Sequence, residues 1–444
     1  MSAGAGELRA GYASVEITPP VGTDLTGFIA REGPCEGALD PLEARALVVE
    51  DDAGNRAALV TCDLIGLGRH MVARVRSRAA LGAGVPEAAQ LFNCSHTHAG
   101  PETGVLTTIG LPNPDYLMSL EERLADVVIR AARDLAPVRV RLASGDVPDG
   151  LVINRVYRKH GRPEAYDRRL TVVRLETPGG APFATVVSFA CHAVALGAGE
   201  QLASADYVGA LRGTLEAQGT GPVLYVNGCG GDVNPASMDS RGRSASEALG
   251  RGLAAAAQPL WASAAPVNEP SGVAAAQEWV ALPYGPLRSI EEAAALLKSG
   301  REKLAAHEPG SQRHRIAHIT EVEYALRVLR LRYGNEVLPE AHAEVQALRL
   351  GPIAVVALPG EIFSSIGGAI RLASPISGGR TIVAGWSNDN VGYVPDREAY
   401  AVEPPDAYEV DLASRYYGHP AAWSPEAGDR LRDAALSALR KVAA

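Results

Sequence analysis

The chain of 444 residues is 47% hydrophobic and 21% charged, and its formal net charge at pH 7 is -9. These proportions are typical of a globular protein, and no apolar run approaches the roughly 20 residues that a membrane-spanning helix requires. The acidic balance disfavours a nucleic-acid or anionic-membrane surface, since both need a basic patch, so we expect a small-molecule substrate as the partner.

Residues 1–20 contain no basic stretch followed by an apolar core, so we expect no secretory signal and a cytoplasmic location. The five cysteines are widely spaced and odd in number, which favours free thiols over a disulfide framework. They are Cys35, Cys62, Cys94, Cys191 and Cys229.

Short apolar and β-branched runs, most of them bounded by Gly, Pro, Asp or Asn, predict strands along the chain. These runs are residues 45–49, 57–62, 89–94, 138–144, 170–175, 184–191, 223–226, 353–358 and 381–384. Helical spacing lies between several of them, at residues 114–135, 205–218 and 244–257. The alternation predicts an α/β fold in which mixed sheets with buried strands are flanked by helices.

Residues from about 286 to 335 differ, because they are rich in Ala, Glu, Arg and Leu at helical spacing. Pro309 and Gly310 interrupt this segment, which predicts a helical hairpin. We expect the hairpin to be an insertion within a single domain that spans residues 1–444.

The sharpest local pattern is the pair His96 and His98 in the segment NCSHTHAGP, residues 93–101. Because successive side chains of a strand alternate, both imidazoles are expected on one face at the end of the strand. Open α/β sheets keep their ligand sites at the carboxyl ends of strands. For the pair alone, two histidines bonded to neighbouring loops are the simpler explanation.

Two further strand ends carry groups that bind metals. His192 follows the apolar run at residues 183–191, and Glu361 follows the run at residues 353–360. Taken singly, His192 fits a core histidine bonded to a backbone carbonyl, and Glu361 fits the first turn of a helix.

Polar groups also follow two other predicted strands. The segment WSNDNVGYVP, residues 386–395, contains Tyr393, and the turn NGCGGDVNP, residues 227–235, has glycines that let the backbone approach a ligand. Imidazole, carboxylate and polar groups at several strand ends together favour a hydrolytic zinc site. The chain has no phosphate-binding loop and no dinucleotide fingerprint, which disfavours phosphoryl-transfer and redox enzymes.

These motifs resemble the neutral ceramidase family, zinc amidases that cleave the N-acyl bond of ceramide. Residues 95–101 are similar to the family's Thr-His-Thr-His-Ser-Gly-Pro segment, with a serine at the start and Ala99 near the end as changes. The resemblance implies four zinc ligands, which are His96, His192, Glu361 and Tyr393.

The resemblance runs in order over roughly residues 10–440. It takes in Asn154-Arg155, similar to a pair whose arginine faces the substrate, and Tyr408-Glu409, similar to a pair near the site. Asn234 departs from the family, because it stands where relatives have a serine that has been proposed as catalytic. We expect no C-terminal immunoglobulin-like domain, and whether ceramide is accepted is left open.

The resemblance implies a hydrolase that cleaves an amide bond of a small or amphiphilic substrate with zinc-activated water. We expect His98 to transfer a proton and Arg155 to bind a carboxylate or hydroxyl of the substrate. We expect Asp232 to orient a ligand and Asn234 to hydrogen-bond the substrate. Tyr408 is expected beside the site.

Three alternatives stay open at this point. A cysteine-dependent amidase would use Cys229 in its glycine turn, or Cys191 beside His192, as a thiolate. A zinc esterase or lactonase would share the metal site and differ in the bond that it cleaves. A non-catalytic zinc-binding relative would account for the missing serine.

Overall fold

The computed structural model describes residues 8–106, 108–267 and 272–444. Strands and helices alternate within these ranges, as the sequence predicts. The strands are β1 Leu8–Glu16, β2 Gly37–Ala38, β3 Glu43–Glu50, β4 Arg56–Cys62, β5 Gln90–Cys94, β6 Ala136–Asp146, β7 Val152–Asn154, β8 Arg169–Glu176, β9 Pro182–Phe189, β10 Leu202–Ala203, β11 Val223–Asn227, β12 Val233–Pro235, β13 Ala265–Pro266, β14 Val273–Leu282, β15 Ala341–Leu350, β16 Ile353–Ala357, β17 Glu361–Ile362, β18 Thr381–Ala384 and β19 Tyr393–Val394.

The helices lie mostly between these strands. They are α1 Arg69–Ala83, α2 Pro114–Ala131, α3 Tyr207–Ala217, α4 Arg243–Ser263, α5 Ile290–Ala306, α6 Gln312–Ala317, α7 Tyr324–Arg332, α8 Ser364–Leu372, α9 Arg397–Val402, α10 Ala413–Tyr416 and α11 Ala427–Ala443. Single turns of 3-10 or π helix occur at Glu87–Ala89, Tyr157–His160, Met238–Ser240, His318–Glu323 and Tyr408–Leu412. No helix of the described ranges has the length and apolar character needed to cross a membrane.

The larger sheet is mixed, in the order β11-β9-β8-β6-β1-β3-β4-β5, with β13 paired to β6. Its outermost pairs, β4 with β5 and β9 with β11, are parallel, and the pairs between them are antiparallel. The two ends of this sheet approach each other. Asn93 on β5 and Asn227 on β11 exchange hydrogen bonds of 3.1 and 2.8 Å. The carboxyl ends of both parallel pairs therefore meet at one place.

The second sheet has the order β14-β15-β16-β18, and its β16 and β18 are also parallel. Each of the three parallel pairs is connected through a helix, which is α1, α3 or α8. The two sheets share one apolar core, in which Leu47 and Val186 of the larger sheet cluster with Leu348, Val355 and Ile382 of the second. This arrangement confirms the predicted mixed sheets flanked by helices.

The C-terminal helix α11 covers the second sheet. Its Leu431, Ala435 and Leu439 recur at a helical spacing of four residues and pack in one cluster with Val345 and Val356. The helix thereby closes the face of the sheet that is turned away from the shared core.

The hairpin region is helical, as the sequence predicts. Ser289 is the N-cap of α5, and its side chain forms a capping box with Glu292. Ser311 is the N-cap of α6. The predicted interruption at Pro309 and Gly310 lies between α5 and α6. At the start of α6, the Gln312 side chain donates a 2.7 Å hydrogen bond to the Ile29 carbonyl and so contacts a loop near the N terminus.

Candidate active site

Three strand ends that carry metal-binding groups lie together. The loops after β5, β9 and β16 bring His96, His192 and Glu361 to one place, and the register of β17 with β19 sets Glu361 opposite Tyr393. A parallel bridge between Thr97 and Ala193 joins the first two loops. The carboxyl ends of the strands thus form the site, as predicted.

His96 is held in an unusual backbone conformation. Strand β5 ends at Cys94, and His96 has a φ of 61°, in the left-handed region that non-glycine residues rarely adopt. The prediction that strand alternation aligns His96 with His98 is therefore wrong in its cause, because both residues lie in a loop. The His96 imidazole lies 4.5 Å from the Trp386 ring, nearly parallel to it, and its Nδ1 lies 2.6 Å from the Ile65 carbonyl oxygen.

His192 is completely buried and has three polar neighbours. Its Nδ1 lies 2.7 Å from the Gly230 carbonyl oxygen. Its Nε2 lies 2.9 Å from Glu361 Oε2 and 3.2 Å from the Tyr393 hydroxyl. Burial, reinforced by the charge of Arg155, lowers the pKa of His192 to about 4, so the imidazole is neutral at neutral pH.

Glu361 lies between the two imidazoles. Its Oε2 is 3.4 Å from His96 Nε2, and its Oε1 accepts a hydrogen bond from the Tyr417 hydroxyl. Burial opposes ionisation of this carboxyl, but His96 and His192 outweigh burial and hold the pKa of Glu361 well below its usual range. Tyr417 was missed by the sequence analysis, since no motif marks it.

The chemistry of these groups fits a bound metal ion. His96 and His192 each place Nδ1 against a backbone carbonyl, which assigns the proton to Nδ1 and leaves Nε2 free to act as a ligand. His96 Nε2 is buried without a hydrogen-bond partner among the described residues. Two imidazoles, a carboxylate and a phenol oxygen form a set of ligands that suits zinc.

His98 lies within the same cluster but differs in its contacts. The ligand atoms of His96, His98 and His192 all lie within 4.8 Å of one another, and His98 alone of the three retains exposed surface. Neither of its ring nitrogens has a hydrogen-bond partner in the described ranges. Burial, together with the charges of His96 and His192, lowers the pKa of His98 well below its usual value.

Arg155 uses its guanidinium on protein acceptors. Nη2 donates to the Tyr393 hydroxyl at 2.8 Å, Nε donates to Glu409 Oε1 at 2.8 Å, and Nη1 donates to Asn234 Oδ1 at 3.2 Å. The expected role of binding a substrate carboxylate is therefore not supported by these contacts. Tyr408 lies beside this group, with its ring centroid 5.6 Å from that of Tyr393.

Asp232 and Asn234 occupy the glycine turn and strand β12, behind Arg155. The Asp232 carboxylate accepts hydrogen bonds from Asn154 Nδ2 at 2.6 Å and from the amide and hydroxyl of Ser364 at 2.7 and 2.9 Å. It therefore fastens β7 to the start of α8 rather than touching His96 or His192. Asn234 is 2% exposed, and its Nδ2 donates to the Met238 sulfur at 3.2 Å.

The fold of this chain is similar to that of known proteins. No family model matches the chain. Among solved structures, it is similar to the neutral ceramidase from Pseudomonas aeruginosa, with a TM-score of 0.76 and 17% identity over 99% of this chain and 74% of that one. A structure described as a ceramidase complexed with C2 gives a TM-score of 0.75, also at 17% identity, and covers 99% of this chain and 75% of that one.

Sequence comparison finds the same group of proteins. Neutral ceramidases A and B from Dictyostelium discoideum are each 25% identical to the chain, over 258 and 228 residues. The chain is thus similar to neutral ceramidases in part of its sequence and in its fold. These matches cover 50% and 45% of this chain but only 35% and 31% of the relatives, so the chain spans about a third of their length.

Two asparagines that were not predicted as site residues fix the strand ends. Asn93 Nδ2 donates to the carbonyls of Asn227 and Gly385 at 3.1 and 2.7 Å. Asn227 Nδ2 donates to the carbonyls of Ser95 and Cys191 at 2.8 and 3.0 Å. The loops that carry His96 and His192 are thus tied to β11 and β18 through buried amide groups.

The thiols of Cys191 and Cys229 are poorly suited to act as nucleophiles. Cys191 and Cys229 are buried, and burial raises the pKa of both thiols. Cys191 Sγ donates to the His192 carbonyl at 3.3 Å, whereas the His192 ring faces Glu361 and Tyr393. These contacts therefore do not support a catalytic pair of Cys191 with His192.

Proposed function

We propose that this protein is a zinc-dependent hydrolase that cleaves an amide bond of a small or amphiphilic substrate. The observation that carries the proposal is the convergence of His96 Nε2 and His192 Nε2 on Glu361 Oε2, at 3.4 and 2.9 Å, beside the Tyr393 hydroxyl. The relationship to neutral ceramidases supports an amide as the bond that is cleaved.

The proposed ligands are His96, His192, Glu361 and Tyr393. When bound there, zinc supplies Lewis-acid catalysis, which polarises a carbonyl group and favours the deprotonation of water. Burial raises the pKa of Tyr393 well above its usual value. Arg155, which donates to the Tyr393 oxygen, opposes this effect and favours the ionised form, in which a tyrosine binds a metal. Glu409 balances the charge of Arg155.

His98 is the proposed proton donor to the leaving amine. Its ring nitrogens are buried without a protein partner in the described ranges, and its side chain is the least buried of the three clustered histidines. A residue that transfers a proton must lie within hydrogen-bond reach of the substrate, and a side chain without a protein partner is free to do so. In this role His98 holds or transfers the proton at one ring nitrogen.

Asn234 rules out a covalent acyl intermediate on the side chain at this position. An amide side chain cannot form an acyl-enzyme, so the attacking group is either water or a residue elsewhere, and water is the simpler choice. Asn234 instead accepts a hydrogen bond from Arg155 Nη1, while Glu409 accepts one from Nε of the same guanidinium. On this basis hydrolysis proceeds in one addition–elimination sequence at the scissile carbonyl.

The test combines metal analysis with a panel of N-acyl amides and their matched esters. We expect about one zinc per chain, loss of amide hydrolysis with a chelator and recovery on addition of zinc. His192→Ala is expected to lose both metal and turnover. His70→Ala, at an exposed position on α1, is the matched control that retains both. Amide hydrolysis that persists in the metal-free protein would contradict the proposal, and faster cleavage of the esters would identify an esterase.

A further inference from the structure

Phe28 joins His98 to two arginines. Its ring centroid lies 5.1 Å from that of His98. The guanidinium carbons of Arg31 and Arg241 lie 5.1 and 5.7 Å from the same ring centroid. Two cations thus contact one aromatic ring at the edge of the candidate active site, in a protein whose net charge is -9.

Arg31 is a buried cation without a carboxylate partner. It is 2% exposed, and it donates to the Glu200 carbonyl at 3.1 Å and the Thr26 carbonyl at 2.9 Å. Its Nη2 has no hydrogen-bond partner among the described residues. Burial, offset in part by Glu200, lowers the pKa of Arg31 to about 10. A buried charge without a counter-ion costs free energy, which a bound anion would recover.

Arg241 precedes α4 and is exposed. It forms no ion pair and no hydrogen bond with the residues that the structure describes. Its guanidinium lies over the Phe28 ring. Burial of part of its side chain and the charge of Arg155 lower the pKa of Arg241, while Asp206 and Asp239 oppose this. Arg241 therefore has N–H donors that solvent and a ligand can reach.

The nearby carboxylates are engaged elsewhere. Glu200 pairs with Arg243 at 2.7 Å, and Asp239 pairs with Arg158 at 3.6 Å. Asp206 accepts backbone hydrogen bonds at the start of α3. No acidic side chain of the described ranges thus forms an ion pair with Arg31 or Arg241.

We propose that Arg31, Phe28 and Arg241 form an anion subsite beside His98, and that this subsite selects amides that carry a carboxylate close to the scissile bond. The inference rests on the proposed function and names its substrate class. Arg241 supplies the planar donor fork that matches a carboxylate, Arg31 supplies a fixed positive charge, and Phe28 supports the apolar part of the ligand.

Binding of a matched pair of probes tests the subsite. Octyloxyacetate and its neutral counterpart 2-octyloxyethanol contain an ether and neither an amide nor an ester, so the zinc-loaded protein cannot hydrolyse them. We expect calorimetry to show that the carboxylate binds at least about tenfold more tightly than the neutral probe. A factor of this size is the scale of a charge-assisted contact. Arg241→Gln is expected to abolish most of this preference.

Arg251→Gln is the matched control, because it removes an exposed arginine of α4 that pairs with Glu247. We expect it to retain the preference for the carboxylate. Equal affinity of the parent protein for the two probes would overturn the subsite. So would an unchanged preference in Arg241→Gln, which would assign the carboxylate to the metal.

Turnover of N-octanoylglycine and N-octanoylglycinamide separates the subsite from the proposed function. We expect a kcat/KM ratio of at least about ten in favour of the carboxylate. Hydrolysis of both amides at equal rates would overturn the subsite and sustain the hydrolase. Selective binding of octyloxyacetate without hydrolysis of any amide would sustain the subsite and overturn the hydrolase.

Discussion

His96 and His192 differ from His98 in how the protein uses Nδ1. The first two place Nδ1 against the carbonyls of Ile65 and Gly230, whereas His98 has no hydrogen-bond partner at either nitrogen in the described ranges. A second hydrogen bond of this kind fixes the tautomer and the orientation of a metal-binding imidazole. The contrast supports the proposal that His96 and His192 are ligands and that His98 transfers a proton.

The first prediction concerns these three histidines. His96→Ala and His192→Ala are expected to lose zinc, because each removes an oriented nitrogen ligand. His98→Ala is expected to retain zinc and lose turnover by about 100-fold or more, the scale of general acid catalysis. Elemental analysis after dialysis, with kinetics on the same samples, checks both outcomes. Loss of zinc from His98→Ala would make His98 a ligand.

The second prediction concerns Asn234. Asn234→Ala removes the acceptor for Arg155 Nη1 and is expected to weaken catalysis by about 1–3 kcal/mol without abolishing it. Asn234→Ser should leave substantial activity. Intact-mass measurement after rapid quenching of the parent enzyme is expected to show no acylated protein. An acyl adduct on any side chain would replace water as the attacking group.

The third prediction concerns the buried carboxyl of Glu102, which is fully buried and has no hydrogen-bond partner at Oε2 in the described residues. Burial raises its pKa from 4.5 to about 7. A carboxyl whose pKa is raised in the folded state contributes stability that is present below pH 4.5 and is lost as the pH rises to about 7.

Glu102→Gln lacks this titration. Relative to the parent, the variant is expected to gain stability between pH 5 and pH 8, by up to about 3 kcal/mol. Urea unfolding of both proteins at the two pH values measures the difference. An equal difference in unfolding free energy at pH 5 and pH 8 would show that Glu102 has the same pKa in the folded and unfolded states.

At the scale of the elements, the glycine turn after β11 is set by its contact with β17. A Cβ at Gly231 would overlap the carbonyl oxygen of Glu361 and lie 2.7 Å from its carbonyl carbon. Only glycine lets the two backbones approach this closely. The position of the Glu361 side chain therefore depends on a residue that has no side chain.

The fourth prediction follows from this contact. Gly231→Ala is expected to cost at least about 1–3 kcal/mol of stability and to lower zinc affinity, because the Glu361 backbone must shift. Gly213→Ala in α3 is the control, since nothing lies within 4 Å of a Cβ there. It should be neutral or stabilise by up to about 1 kcal/mol. Equal melting temperatures and zinc contents for the two variants would contradict the prediction.

The strands that could be predicted were those with β-branched cores. All nine predicted runs are strands, with ends that differ by a few residues. The sequence did not predict β14 and β15, because both strands are rich in Ala, Gln and Glu, which favour helices. Their sequences are VAAAQEWVAL and AHAEVQALRL. Pairing with β16 and cover by α11 override that preference.

The candidate site was predictable where a strand end carried a metal-binding residue. His96, His192, Glu361 and Tyr393 fall in that class, and their roles as ligands stay a prediction. Tyr417, Asn93 and Asn227 act through contacts between distant segments, and their local sequences carry no signal of this. Arg31 and Arg241 were not marked either, because an unpaired cation is recognised only once its neighbours are known.

At the scale of the whole molecule, the two large sheets are joined by a shared core and by the loops of the candidate site. We propose on this basis that the chain is one hydrolase domain with the α5–α7 hairpin inserted in it. Because β5 and β11 meet β18 through Asn93 and the bridge between Gly228 and Ala384, neither sheet can unfold without breaking the site.

The fifth prediction is therefore a single unfolding transition. Far-UV circular dichroism reports both sheets, and Trp386 fluorescence reports the contact between them, so the two denaturation curves should coincide. Trp386→Phe identifies the fluorescence change that belongs to this residue. Separate midpoints for the two signals would divide the chain into independent units.

The four candidate ligands are synthesised at different times. Chains emerge from the ribosome from the N terminus, and His96 and His192 appear long before Glu361 and Tyr393. A nascent chain that ends before β17 contains both histidines but no carboxylate to complete the site. With the proposed ligands, stable binding of a metal requires β19 to have paired with β17, so we expect it only after most of the chain has been synthesised.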